Sequence, residues 1–428
     1  MTLLKRMAGW LGLAAVALAA PASAQVGPIR TPNLPALPPI VADGLPGVPE
    51  VGPLSRQTLG RALQAPSRLR NLIRRSSAAL EADPLGWPVV TGEVVAMDLS
   101  DAARTQALDI GFTIVREERL EALELTTTVL APPRRMSLAR AVERLRRLDP
   151  DAEIAFNHVH APAGSVGGVE AGNPAAPGPQ ASGARLGLID TGVDAGHPAL
   201  AGSRITQRGF AGPARTGAHG LAVASLMVGR SGAFAGGAPG ADLLVADIYG
   251  GRPDGGSSTA LAGALAWMVE QRAPVVNVSL VGPRNALVER AVALARARGV
   301  TVVAAVGNDG PAAPALYPAS YEGVVGVTAV NGRNRVLPEA ARGDHVDFAA
   351  PGADMAAAGA GGWTSVRGTS FAAPVVAGLL ARQDRAALAR AAMDLGARGP
   401  DPVYGAGLVG LASRISPRDM GARGRLAG

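Results

Sequence analysis

Apolar residues recur along this chain with two periods, and the change from one to the other marks out its elements. From residue 184 onward, short runs rich in Val, Ile and Ala (185–189, 242–248, 275–280, 300–305 and 323–330) have few polar interruptions. Longer stretches that read as helices lie between them (220–228, 258–271 and 284–298). Near-continuous apolar strands separated by helices predict a parallel sheet covered on both faces. In such sheets, sites form beyond the carboxyl ends of the strands, so the polar residues just after these runs matter most.

Residues 88–160 follow a different order. A strand over 89–99 precedes Ser100-Asp101, which caps a short helix running to Asp109. Strands follow at 112–116 and 126–130. Ser137 then caps a helix through Leu148, with Leu138, Ala141, Val142 and Leu145 at helical spacing, and 152–160 returns to strand. This β-α-β-β-α-β order matches a ferredoxin-like split βαβ unit. The predicted fold class is therefore α/β: a parallel-sheet domain over 184–428, preceded by a small ferredoxin-like α+β domain over 88–160. Residues 161–183, rich in Gly, Pro and Ala, read as a linker. Residues 54–87 read as a basic amphipathic helical segment, helical over 54–82 and split or kinked at Pro66. Its arginines form either a solvated face or a docking surface for an acidic partner or lipid headgroups. Residues 25–53 are a proline-rich linker.

The amino terminus adds a location. Lys5 and Arg6, an apolar stretch over 7–20, and Pro21-Ala22-Ser23-Ala24 form a signal peptide over 1–24, cut after Ala24. The apolar run is shorter than the ~20 residues a membrane span needs, and no other segment reads as one. The protein is expected to be secreted or periplasmic. The formal net charge is +7, but 40 of the 41 basic residues are arginine and they are dispersed. No basic patch interleaved with aromatics stands out, so nucleic acid is not an expected partner. Cysteine is absent, which excludes disulfides, thiolate metal sites and a cysteine nucleophile.

Three blocks carry candidate chemistry. In Leu186-Gly-Leu-Ile-Asp190-Thr-Gly, a buried strand ends in a carboxylate followed by a glycine turn. Alone it also fits an aspartic peptidase or a turn-capping aspartate. In Gly217-Ala-His219-Gly220, a histidine opens an apolar helix, where Gly220 allows close packing on a strand end. In Gly368-Thr-Ser370-Phe-Ala-Ala-Pro374, a serine sits at a helix start; it is either an N-cap or a nucleophile beside free backbone N–H groups.

In the chain order Asp, His, Ser, these blocks resemble the subtilisin-like serine peptidase family (subtilases). The resemblance extends to Val276-Asn277-Val-Ser279-Leu280, Ala305-Val-Gly307-Asn308-Asp-Gly310, Tyr317-Pro318-Ala319 and Tyr404-Gly-Ala-Gly407. It implies a serine endopeptidase with Asp190, His219 and Ser370 as catalytic triad and Asn308 in the oxyanion hole. Ser279, Leu280, Val281 and Gly282 would pair with extended substrate, and Ala305, Val306 and Gly307 would line the pocket for the residue before the cut bond. It further implies a zymogen whose 88–160 domain is a propeptide and temporary inhibitor, a monomer acting on proteins or peptides. No cofactor is required, and calcium is a family possibility without a recognisable Asp/Asn/Glu loop. Leu221 stands where the family has threonine, Val281 where it favours glycine and Val306 where it favours alanine. The two valines are expected to narrow the pocket toward small or medium apolar residues. Leu221 and Val281 also leave open a catalytically weak or inactive binding module.

Overall fold

Pro66 decides how the described chain begins. The computed structural model describes residues 64–167 and 183–422; the expected signal peptide (1–24) and proline-rich linker (25–53) lie outside the described residues. Helix α1, Ser67–Arg75, starts directly after Pro66, which sits at the N-cap with φ −55° and ψ 149° and whose carbonyl accepts from Leu69 and Arg70 N–H at 3.0 Å each. Pro66 therefore stands before the helix and not within it, and the 54–63 part of the expected helical segment lies outside the described residues. Ser76 closes α1, and strand β1, Leu80–Ala82, pairs with the next strand, so the helix expected to reach residue 82 stops short. Serines such as Ser76 and Ser77 offer the backbone alternative hydrogen bonds and break helices readily.

Strand β2 (Pro88–Met97), helix α2 (Asp101–Asp109), β3 (Thr113–Leu120), β4 (Leu125–Ala131), helix α3 (Leu138–Leu148) and β5 (Glu153–His158) follow. The main strands lie in the order β5-β2-β4-β3, all antiparallel, which is the arrangement of a split βαβ unit. The Ser100 and Ser137 hydroxyls accept from the N–H groups of Ala103 and Arg140, fixing the starts of α2 and α3. Alternation along the strands gives the sheet two apolar faces. Val94, Ala96 and Leu130 pack with α2 and α3. Val95, Met97, Leu125 and Val129 share a core with Leu261, Leu265, Val288 and Val292 of the following domain.

After β5 come two very short strands, β6 (Ala161–Pro162) and β7 (Ser165–Val166). This part of the expected linker is therefore held in place. The larger domain runs β8 (Arg185–Asp190), β9 (Ile205–Gly209), α4 (Ala218–Val228), β10 (Arg230–Ser231), β11 (Phe234–Ala235), β12 (Asp242–Asp247), α5 (Ser258–Glu270), β13 (Val275–Val278), β14 (Leu280–Val281), α6 (Ala286–Ala297), β15 (Thr301–Ala305), β16 (Val325–Val330), β17 (Phe348–Pro351), β18 (Met355–Gly359), β19 (Gly362–Arg367), α7 (Thr369–Leu380) and α8 (Arg385–Arg390). Seven strands form one parallel sheet in the order β17-β16-β15-β13-β8-β12-β9.

Helices α4 and α7 cover one face of that sheet, and α5 and α6 cover the other. From β8 the chain first reaches the edge strand β9, returns to β12 between the two, and then continues on the other side of β8 with β13. This reversal opens a crevice at the carboxyl ends of β8 and β13, the usual place for a site in such sheets. No helix among the described residues is long and apolar enough to cross a membrane.

Candidate active site

Asp190 is the last residue of β8 and is fully buried beside that crevice. Its two carboxylate oxygens lie 2.9 and 2.8 Å from Nδ1 of His219, the second residue of α4. An ionised carboxylate only accepts, so Nδ1 carries a proton, and in the neutral ring this tautomer leaves the lone pair on Nε2. The helix start approaches the strand end closely because two of its residues lack side chains. A Cβ on Gly220 would lie 2.3 Å from the Thr191 carbonyl oxygen, and one on Gly217 would lie 2.3 Å from the Thr191 hydroxyl. That hydroxyl accepts from Gly220 N–H at 3.0 Å and ties the two elements together. Phe371 packs against the imidazole with ring centroids 5.3 Å apart. Nε2 is buried without a hydrogen-bond partner. Leu221 points into the core and leaves these contacts intact.

Ser370 is the second residue of α7, where backbone N–H groups have no intrahelical acceptor. Gly368 before it has φ 133°, a conformation that favours glycine. The Ser370 hydroxyl donates to the Ser279 carbonyl at 2.9 Å, so it is not bonded to His219. The Ser279 side chain donates in turn to the Ser370 carbonyl at 2.8 Å and accepts from the Asn277 amide at 2.8 Å. Thr369 N–H donates to Asn308 Oδ1 at 3.1 Å, and Gly307 N–H donates to the Thr369 hydroxyl at 3.2 Å. These bonds orient the Asn308 amide, and its Nδ2 is buried with no partner.

The cleft-lining residues divide. Leu280 and Val281 pair with Pro162 and Ala161 of the chain itself, and Ala163 N–H donates to the Ser279 carbonyl at 3.2 Å. Gly282 pairs its backbone with Tyr317 instead, and a Cβ there would lie 2.5 Å from the His160 ring. Val306 departs from expectation: it packs in the core under α5 and α6, beside Gly326, because it follows Ala305 on the opposite side of the extended backbone. Leu316 stands near Gly307 and Val281 in its place. The chain pattern around Leu316 gave no signal for this role. Arg68 on α1 was likewise missed: it donates to the Pro162 carbonyl at 2.6 Å and pairs with the nearly buried Asp309 at 3.1 Å, one residue beyond Asn308.

His160 fills the space beside Gly282 and is fully buried. Its Nδ1 lies 3.3 Å from the Gly256 carbonyl, which can only accept, and its Nε2 has no partner. Burial, assisted by the nearby His158, lowers its pKa to about 3. An exposed imidazole titrates near 6.5. The unfolded chain therefore binds the extra proton first, and the stabilisation from seating His160 is complete above about pH 6.5 and lost as pH falls toward 3. In chains carrying Ser370→Ala, lowering the pH from 7 to 5 should cost wild-type His160 about 2 kcal/mol more unfolding free energy than His160→Phe. Urea titrations at both pH values measure this, and equal losses would place the ring outside the cleft.

Among the described residues, no three His, Cys, Asp or Glu side chains form a metal-binding group. Residues 181–394 match the Subtilase family, Peptidase_S8. The chain is 33% identical over 250 residues to thermitase from Thermoactinomyces vulgaris, covering 55% of this chain and 88% of that protein. It is 35% identical over 209 residues to a thermophilic serine proteinase from Bacillus sp. (strain AK1), covering 47% of this chain and 52% of the relative. In fold it resembles fervidolysin from Fervidobacterium pennivorans, described as a keratinolytic enzyme related to subtilisin. That match has a TM-score of 0.63 at 20% identity and covers 76% of this chain and 61% of that one. The coverage exceeds what residues 183–422 alone could supply, so the likeness in fold reaches into the preceding segment.

Proposed function

Because the chain belongs to the subtilase family and is a serine-type endopeptidase, we propose that it hydrolyses peptide bonds with Ser370 as nucleophile, His219 as base and Asp190 as its orienting carboxylate. The observation that carries this reading is the paired His219 and Asp190 at 2.8–2.9 Å with Nε2 left free beside the α7 start that bears Ser370. A χ1 rotation of Ser370 exchanges its bond to the Ser279 carbonyl for one to Nε2. The hydroxyl then attacks the substrate carbonyl, and His219 takes its proton and returns it to the leaving amine. Asp190 keeps Nδ1 protonated and stabilises the imidazolium. Asn308 Nδ2 and the Ser370 N–H receive the developing oxyanion.

The protein is made, in this reading, as a secreted or periplasmic zymogen that processes itself. The residues before 160 act as its folding partner and temporary inhibitor. Their sheet packs against α5 and α6, and Asn157 Oδ1 accepts from Thr259 N–H at 3.3 Å at the α5 start. Labelling with a fluorophosphonate tests the assignment. The mature protein should take one label, on Ser370, and Ser370→Ala should take none. Folded, mature protein that resists the label would favour an inactive binding module.

A further inference from the structure

The backbone from His160 to Gly167 runs through the cleft extended and is held on both sides of Ser370. On one side, His160 N–H donates to the Gly256 carbonyl at 2.8 Å, Ala161–Pro162 pairs antiparallel with Leu280–Val281, and Ala163 N–H donates to Ser279 at 3.2 Å. On the other side, Ser165 lies opposite Arg367 and Val166 opposite Val366, and Gly167 N–H donates to the Ser365 carbonyl at 2.9 Å. Between the two pairings stand only Ala163 and Gly164.

They stand at the nucleophile. A Cβ on Gly164 would lie 3.1 Å from the Ser370 Cβ and 2.6 Å from the Phe371 ring. A Cβ on Gly368 would lie 2.9 Å from the Ala163 carbonyl oxygen and 2.7 Å from Asn308 Nδ2, so that carbonyl and the unpartnered donor flank the same point. The register is constrained. Moving the strand so that Pro162 took the place of Ala163 would put a residue without an N–H opposite the Ser279 carbonyl.

The space beyond Ala163 is closed. A Cβ on Gly307 would meet Leu316 Cδ1 at 2.5 Å and Val281 Cγ1 at 3.6 Å. Ala163, Val281 and Leu316 are all buried in one cluster.

We propose that the Ala163–Gly164 bond is the first substrate of Ser370, and that the cleft accepts only a small side chain before the cut because Leu316 and Val281 fill the room a larger one needs. This rests on the serine-peptidase reading above and names the substrate of that site. Ser370 Oγ adds to the Ala163 carbonyl carbon as His219 Nε2 takes its proton. The C–N bond breaks, and the proton passes to the Gly164 nitrogen, leaving Ala163 esterified to Ser370. Water then adds to the ester and gives a proton to His219, which returns it to the departing Oγ. The products are an Ala163 carboxylate and a Gly164 amine.

The test is mass spectrometry of the earliest products from the purified full chain. Wild type should give one fragment ending at Ala163 and one beginning at Gly164, while Ser370→Ala stays intact. Ala163→Phe should slow that cut about 100-fold, and adding Leu316→Gly should recover most of the rate. If wild type labels with the fluorophosphonate but first cuts another bond, or cuts Ala163→Phe at the wild-type rate, the proposal falls while the peptidase reading stands. An unrecovered rate in the folded double variant would overturn the role given to Leu316. A folded wild type that neither labels nor cuts would defeat the peptidase reading itself.

Discussion

Ser370→Ala is expected to slow hydrolysis of a peptide substrate about 10⁶-fold, the size of loss found when the nucleophile of another member of this family is removed. The fold should survive the change. The Ser370 hydroxyl makes one hydrogen bond, to the Ser279 carbonyl, and that oxygen also accepts from Ala163 N–H. The start of α7 stays fixed through groups that alanine does not touch: the Ser279 hydroxyl on the Ser370 carbonyl, and the Asn308 amide on Thr369 N–H. A loss this large with an unchanged unfolding midpoint separates chemistry from stability. Both proteins should first be freed of the leading segment by an added protease, since an uncut chain keeps its cleft filled. Turnover of a chromogenic peptide then gives kcat. Activity that persists in the variant at acid pH would point back to Asp190 acting as an aspartic-peptidase residue, whereas a drop below about 100-fold would mean that another group attacks.

The sequence made some of these features readable and concealed others for definite reasons. Helices α2 and α3 stand where Ser100 and Ser137 placed their starts, because an N-cap serine followed by apolar spacing is a local signal. Buried strands such as β12 and β15 could be read because a strand covered on both faces carries an unbroken apolar run. Strands β17 and β18 were not read, since the alanine runs 349–350 and 356–358 have little strand propensity and owe their conformation to neighbouring strands.

The occupied cleft was hidden more deeply. Residues 161–167 look like a linker by composition, and only distant partners, Leu280–Val281 and Val366–Arg367, make them strands. Arg68 lay in a segment whose arginines read either as a solvated face or as a docking surface for an acidic partner or lipid headgroups, yet its guanidinium reaches Asp309 of the same chain, 241 positions away. Local periodicity has no access to such pairs. The chemical blocks were legible for the opposite reason: the glycines at 217, 220 and 368 are local traces of close approach between elements.

Asn308→Ala should lower kcat by about 10²–10³ while KM changes little. The amide cannot swing, because Thr369 N–H holds its Oδ1 at 3.1 Å, and this leaves Nδ2 buried and unpaired. An unpaired buried donor costs stability, so the folded protein gains nothing from this group at rest. It is rewarded only when an oxyanion forms at the carbonyl under attack, and an interaction made only in the transition state appears in kcat. The stability readout should therefore diverge from the kinetic one. Alanine removes the orphaned donor but also removes the acceptor for Thr369 N–H, two opposing effects that leave the unfolding midpoint nearly unchanged. Asn308→Asp should be at least as slow, since an acceptor would then face the developing negative charge. Steady-state kinetics with urea unfolding on the same preparations provide both readouts. A kcat within about threefold of wild type would leave the Ser370 N–H to carry the oxyanion and take Asn308 out of the site.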